Sequence, residues 1–459
     1  MLHTIKFKAE LIRRYDKSGP RYTSYPSAVQ FNDEFTETRY REIAKATNAN
    51  ARPLSLYFHI PFCNTVCFFC ACSKVVTKNR SRAGPYLQRL HKEIEIQGAL
   101  FDRQRKVEQL HWGGGTPTFI SHDEIRALMD KIREHFTLID DDSGEYSIEV
   151  DPREIRAGSL ALLRELGFNR LSMGVQDFNE KVQKAVNRIQ PREQTLSVLK
   201  KARDLGFRSI NMDLIYGLPF QTVASFSETL EQVIAANPDR LSIFNYAHLP
   251  EMFKPQRRIQ VDDLPSPEEK LGILQAAIHM LGDAGYVYIG MDHFAKPHDE
   301  LAVAQREGSL YRNFQGYSTH ANCDMVAMGN TAISNVGNSF SQNSRSLDDY
   351  YEALDAGHLP VMRGYELSDD DRLRREVITK LICHFSLEFG VIENQFNIDF
   401  RRYFLPELEA LSLMQKDGLL TISDGAIEVL PAGKLLIRNI CMVFDAYLTP
   451  QQHQFSKVI

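Results

Sequence analysis

No stretch of these 459 residues approaches the ~20 consecutive apolar residues that a membrane-spanning helix requires. The opening run, MLHTIKFKAELIRRYDK, lacks the apolar core of a secretory signal and patterns as a short amphipathic helix. Basic residues are not in excess. The net charge of −5 argues against a broad nucleic-acid footprint. Cysteine is scarce and odd in number, seven in all, which fits a disulfide framework poorly. No second C-x2-C or H-x3-H pair exists to close a two-knuckle zinc site. The expectation is a cytoplasmic protein with neither a membrane nor a nucleic acid as partner. Its composition, 43% hydrophobic and 25% charged, is sufficient for a sizeable core.

What is there is concentrated. Four of the seven cysteines, Cys63, Cys67, Cys70 and Cys72, fall within ten residues, in HIPFCNTVCFFCACSK. Three thiolates on one tight loop suit a cubane iron–sulfur cluster, whose irons favour soft sulfur ligands. Capping three irons leaves the fourth open to a substrate or cofactor. The C-x3-C-x2-C spacing, with the aromatic Phe69 before the third cysteine, resembles the radical S-adenosylmethionine (SAM) enzymes. In that family the open iron chelates the amino and carboxylate groups of SAM. Zinc is the competing reading of the loop. Cys383 and Cys441 sit in apolar helical runs and read as core packing.

From Leu54 to about Phe294, strand and helix patterns alternate. Strands are expected over Leu54–Ile60, Gln109–Gly113, Tyr146–Val150, Arg170–Val175, Ser209–Ile215, Arg240–Tyr246 and Tyr286–Gly290. Amphipathic helices are expected between them, several stopped by a glycine (Gly167, Gly206, Gly285). This βα order predicts an α/β fold, a partial (β/α) TIM-like barrel. Chemistry in such barrels sits at the C-terminal strand ends. The cysteine loop, Gly113–Pro117, Glu149 and Asp151, Gln176 and Asp177, Asp213, His248, and Asp292 with His293 all fall there. Taken singly, each reads first as a turn or cap residue; together they predict one shared rim.

After about Ser368 the pattern changes to helices around a small hairpin at Asp424-Gly425, a mainly helical, winged-helix-like unit that reads as a lid or scaffold. Arg372, Arg374, Arg375, Arg401 and Arg402 read as its solvated face. The expected division is a covering segment over 1–50, a catalytic barrel with its extension over 51–365, and a helical domain over 366–459.

Gly113–Gly115 lacks the Gly-Lys-Ser/Thr ending of a phosphate loop, so it reads as backbone that approaches a ligand closely. Glu149 and Asp213 are candidates to accept hydrogen bonds from ribose hydroxyls or an ammonium group. Gln176 and Arg188 are candidates for amide edges or a carboxylate, with a surface arginine as the alternative for Arg188. His59 and His293 lack metal-ligand spacing and read as hydrogen-bonding residues.

One family is similar over nearly the whole chain, the oxygen-independent coproporphyrinogen III oxidases. The motifs that carry the resemblance include GPRYTSYP (Gly19–Pro26), YFHIPFCNTVCFFCAC (Tyr57–Cys72), HWGGGTPT (His111–Thr118), SIEVDPRE (Ser147–Glu154), RLSMGVQDF (Arg170–Phe178), NMDLIYGLP (Asn211–Pro219) and NFQGY (Asn313–Tyr317). The resemblance implies a 4Fe–4S cluster on Cys63, Cys67 and Cys70, with Cys72 outside the ligand set, and two SAM molecules. It implies SAM contacts from Tyr57, Phe69, Gly114, Gly115, Thr116, Glu149, Gln176, Arg188, Asp213, Ala247 and Ile333, with Gln315 near the second molecule. The implied reaction turns two propionates of coproporphyrinogen III into vinyl groups. It needs a flavodoxin-like electron donor and a terminal acceptor, and the family suggests a monomer. Arg21 and Lys74 are candidate anchors for the substrate carboxylates. The rival readings are a haem chaperone of the same fold, a radical SAM enzyme with another substrate such as RNA, and a zinc-stabilised interaction protein.

Overall fold

The computed structural model describes residues 5–448. The first four residues of the expected N-terminal helix and the last eleven of the expected C-terminal domain lie outside that range. Within it, the N-terminal helix is short, Ala9–Arg14.

Six strands form a parallel run: β1 (Leu54–Ile60), β2 (Lys106–Gly114), β3 (Glu145–Val150), β4 (Arg170–Gln176), β5 (Ser209–Tyr216) and β6 (Arg240–Asn245). Each matches an expected strand to within a few residues. Helices between them cover the outer face, among them α1 (Ala83–Gly98), α2 (His122–His135), α3 (Arg192–Asp204), α4 (Val223–Ala236) and α5 (Pro267–Asp283). Helix α2 begins with a reciprocal cap in which Ser121 accepts from the Glu124 backbone and Glu124 accepts from the Ser121 backbone. Gly167, Gly206 and Gly285 all adopt the positive φ of a helix-stop residue.

The sheet is longer than expected. β7 (Val287–Gly290) does not pair with β6. The short β8 (His293–Ala295) lies between them, antiparallel to both. On the other flank β9 (Asp324–Met328) runs parallel to β1, and β10 (Ile333–Val336), β11 (Ser339–Asn343) and β12 (Val361–Glu366) continue antiparallel. The order β7-β8-β6-β5-β4-β3-β2-β1-β9-β10-β11-β12 is an open, mixed sheet whose parallel part forms the partial barrel.

The C-terminal region has helices α6 (Asp369–His384), α7 (Phe389–Phe396) and α8 (Leu405–Lys416) around three strands, Ser386–Glu388, Leu420–Ile422 and Ala426–Val429. After Pro431 come a 3-10 turn, Lys434–Leu436, and one short helix, Ile437–Met442. The chain before it is tied into the hairpin, with Leu430 N–H donating to Leu419 O at 2.9 Å and Gly433 N–H to Leu430 O at 2.8 Å. The solvated arginine face holds for Arg401 and Arg402 but not for Arg374. That side chain is 14% exposed and bridges Asp370 and Glu407. Cys383 and Cys441 are buried in the core, as expected.

Residues 15–32 pass between the barrel and the C-terminal region. Arg438 Nε donates to Pro20 O at 3.1 Å, Arg312 Nε to Arg21 O at 3.3 Å, and Tyr22 OH to Asp445 at 3.0 Å.

Candidate active site

The cysteine loop leaves β1 at the C-terminal end of the parallel strands. Its backbone is pinned from several sides: Phe68 N–H donates to Val186 O at 2.9 Å, Cys70 N–H to Cys67 O at 3.2 Å and Thr77 N–H to Cys63 O at 2.9 Å. Lys74 Nζ donates to Cys70 O at 3.2 Å and Cys72 O at 3.3 Å, so this lysine staples the loop.

Each of the three candidate ligand sulfurs has hydrogen-bond support. Thr116 Oγ1 lies 3.7 Å from Cys63 Sγ; Arg188 Nη1 and Arg153 Nη2 lie 3.6 and 3.7 Å from Cys67 Sγ. The Cys72 thiol, then the Lys74 ammonium, lower the Cys70 pKa against the raising effect of burial. Burial pushes Cys63 up to about 11. A single tetrahedral zinc would need its sulfurs about 3.8 Å apart. Among the described residues, the only three metal-ligating atoms within 4.8 Å of one another lie elsewhere. The donor set is all thiol, more widely spaced than one ion demands and bordered by cations. That fits an anionic iron–sulfur cluster.

Arg188 is not a surface residue, and its buried Nε has no hydrogen-bond partner. It is buried, with Nη1 3.0 Å from Asp151 and Nη2 donating to Gly174 O at 2.6 Å. Despite burial, Arg188 and Arg153 hold Asp151 below the usual carboxylate range. Asp177 is also removed from the rim: its carboxylate accepts from Gln221 and Thr229 and caps the turn at Asn179.

Beside the cysteine loop runs Gly114-Gly115-Thr116. Gly115 N–H donates to Ile60 O at 2.9 Å and Thr116 N–H to Phe62 O at 2.8 Å. A Cβ on Gly115 would lie 2.7 Å from Pro61 C and O, both backbone atoms. Gly115→Ala therefore forces the two loops apart. The expected result is at least a ~10-fold loss of SAM affinity together with about 1–3 kcal/mol of stability, checked by equilibrium dialysis and denaturant titration.

Glu149 accepts from Gly114 N–H at 3.2 Å and lies 3.4 Å from His111 Nε2. Tyr57 stacks on His111 with ring centres 5.8 Å apart, and its hydroxyl meets His59 Nδ1 at 3.1 Å. Asp213 accepts from Ser172 at 3.0 Å and Asn211 at 2.7 Å; burial, with the Glu149 charge nearby, pushes it up to about 6. Glu149, Asp213 and Gln315 share one cavity of about 210 Å³ that runs down the inside of the partial barrel. Gln176 Oε1, Asn245 Oδ1 and His293 Nδ1 are buried without a hydrogen-bond partner. Burial and the arginines 312, 21 and 240 push His293 down to about 3, so its imidazole is neutral. Unpartnered polar atoms of this kind are costly unless a polar ligand meets them.

The other named residues stand apart from that cavity. Phe69 packs against the apolar group of Val182, Val186, Leu218, Tyr246 and Ile259. Ile333 packs with Phe31, Phe340 and Leu367 on the far flank. Ala247 lies half-buried in the loop after β6. His111, Ser147, Ser172, Asn211 and Ser242 also line the cavity and were missed from the sequence. Their signal was available: polar residues recur at every second position in strands that a fully covered parallel sheet would make apolar.

The radical SAM superfamily model matches residues 57–233, and the HemN C-terminal domain model matches residues 367–436. The oxygen-independent coproporphyrinogen III oxidase of Pseudomonas aeruginosa is 55% identical over 460 residues and 100% of both chains. That of Escherichia coli K12 is 51% identical over 99% of each. The chain belongs to the oxygen-independent coproporphyrinogen III oxidase family. The solved structure of the Escherichia coli coproporphyrinogen III oxidase, a radical SAM enzyme, superposes with a TM-score of 0.93 at 50% identity, covering 97% of this chain and 100% of that one. A 4Fe–4S cluster and SAM are the cofactors that superfamily membership carries. Among the described residues, no helix is long and apolar enough to cross a membrane.

Proposed function

We propose that this chain converts two propionates of coproporphyrinogen III to vinyl groups, giving protoporphyrinogen IX, in anaerobic haem biosynthesis. Each propionate loses carbon dioxide, one proton and two electrons, so an external acceptor is required. The observation that carries the reading is a polar cavity inside the barrel whose lining residue Glu149 is bonded to Gly114, beside the thiol loop, in a chain that matches the oxidases end to end. When bound, the reduced cluster and SAM supply the hydrogen-abstracting radical.

The chain's own residues do the rest. Cys63, Cys67 and Cys70 hold the cluster. Gly114, Gly115, Thr116, Glu149, Gln176, Arg188, Asp213 and Ala247 place SAM, and Arg188 is itself braced by Asp151 and the Gly174 carbonyl. Tyr57, Phe69, Gln315 and Ile333 complete the contacts, and a second SAM molecule shares the site. Residues 15–32 and the 366–459 unit exclude water from the rim. A flavodoxin-like donor, a monomeric state and a cytoplasmic setting complete the proposal.

A tetracarboxylate substrate needs cationic anchors. A cleft of about 550 Å³ opens beneath the N-terminal segment, walled by Arg21, Arg345, Arg363 and Phe314. Arg21 is paired with Asp292, and burial together with Arg438 and Arg312 pushes it down to about 10. Arg345 and Arg363 are different: among the described residues neither has an acidic partner. Burial, and then the charge of Arg345, lowers the pKa of Arg363. Arg363→Ala should raise the KM for coproporphyrinogen III by about 10- to 100-fold, the worth of one charged hydrogen bond. The rate of SAM cleavage without substrate should not change.

The test is anaerobic turnover of the reconstituted enzyme with SAM, reductant and cell extract. Protoporphyrinogen and 5′-deoxyadenosine in step with carbon dioxide support the assignment. Deoxyadenosine without a porphyrin product would retain the radical chemistry and remove this substrate.

A further inference from the structure

At the opposite end of the barrel, Glu108, His320 and Cys323 each direct one ligand atom to a common point, all within 4.8 Å of one another. Glu108 is the third residue of β2, six residues before Gly114 on the cysteine-loop rim, so about 20 Å of strand separates the two places. His320 and Cys323 lie on the turn that enters β9. That turn is built rather than loose. Cys323 N–H donates to His320 O at 3.4 Å, His320 N–H to Ser318 Oγ at 3.1 Å and Arg52 Nε to Asn322 O at 3.0 Å.

Two of the three spacings are close to those around one small ion. His320 Nδ1 is 3.6 Å and Cys323 Sγ is 3.9 Å from Glu108 Oε2. A tetrahedral zinc with ordinary bond lengths sets a nitrogen–oxygen pair about 3.4 Å apart and a sulfur–oxygen pair about 3.6 Å apart. A second observation points the same way. The other nitrogen of His320, Nε2, lies 3.6 Å from Glu145, a buried carboxylate that also accepts from Gln109 at 3.1 Å and Thr319 at 3.1 Å. A carboxylate behind a histidine fixes its tautomer and turns the free nitrogen toward a metal.

We propose that Glu108, His320 and Cys323 bind a zinc ion, with solvent as the fourth ligand, and that this ion clips the turn before β9 to the start of β2. One nitrogen, one oxygen and one sulfur make a borderline donor set that suits zinc better than magnesium or calcium. Without metal, burial and the Glu108 charge push the Cys323 thiol up to about 12, so zinc binding releases its proton. The arrangement that competes with zinc is His320 bridging the two carboxylates directly, at 3.6 Å from each.

The test uses the full chain with its iron–sulfur cluster reconstituted under nitrogen, exposed to zinc chloride and passed over a chelating resin. The expected result is about one zinc per chain beside a full iron complement. Zinc-edge X-ray absorption should show a single sulfur neighbour at about 2.3 Å. Cys323→Ser and His320→Gln should each lower retained zinc at least ~10-fold while iron is unchanged. Glu108→Gln, at a partly exposed carboxylate, should weaken zinc with the least risk to the fold. Three sulfur neighbours would place the zinc in the cysteine loop and overturn the proposal. So would retained zinc that is indifferent to Cys323→Ser or Glu108→Gln, or no zinc above background in the unaltered chain.

Discussion

Alanine at Cys63, Cys67 or Cys70 should lower turnover by at least ~10³-fold, which is more than about 4 kcal/mol of lost catalysis, and should remove iron and sulfide with it. Alanine at Cys72 should leave both in place. The three-thiol assignment rests on this contrast. Cys72 is exposed and engages Cys70 by a thiol hydrogen bond, and Lys74 ties the carbonyls of Cys70 and Cys72 together. Its loss removes that hydrogen bond without deleting a ligand. Iron and sulfide per chain, measured after reconstitution at pH 8, separate the cases. Loss of iron from Cys72→Ala would make Cys72 a ligand and sink the three-thiol reading.

Arg188→Ala should destabilise the cluster-free chain by about 3–5 kcal/mol, because it strips one partner from a buried charge. Asp151 keeps Arg153 at 2.6 Å but loses Arg188 at 3.0 Å, and the Gly174 carbonyl loses its 2.6 Å donor. In the variant, the burial cost of Asp151 is less well opposed. The Asp151 carboxyl is depressed below the ordinary aspartate value of 3.8, so its stabilisation is present above that pH and fades as pH falls through the depressed value. The gap between the parent and Arg188→Ala should therefore narrow below about pH 4, because a neutral Asp151 needs no cation. Lysine at 188 should recover part of the stability but not the two-pronged geometry. Denaturant titrations across pH check both statements. A constant gap across the acid range would show that Arg188 contributes through packing alone.

Arg188 also marks a boundary of what could be read in one dimension. Its position on the chain was singled out, yet its burial beside Cys67 depends on Asp151, just past the end of β3, and on Gly174 of β4. Asp177 shows the reverse: it ends a strand in the expected place, but its neighbours Gln221 and Thr229 turn it into a cap. A strand end in sequence says where the backbone stops. Which way the last side chain faces is settled by the helix that packs there.

The local features were determined by the sequence itself. Four cysteines in ten residues can hardly avoid forming one loop, because chain connectivity keeps them together. The six parallel strands and their helices follow from short-range patterns of hydrophobicity and helix-stop glycines. What only the tertiary structure decided is long-range. The sheet extension β9–β12 is placed by pairing with β1, and no local pattern says which edge a later strand will join. Arg21, Arg345 and Arg363 meet at one cleft from positions more than 300 residues apart. Glu108 meets His320 and Cys323 across a similar gap in the chain, more than 200 residues. Such encounters depend on the packing of whole elements, and the identities of the residues that meet carry no mark of it along the chain.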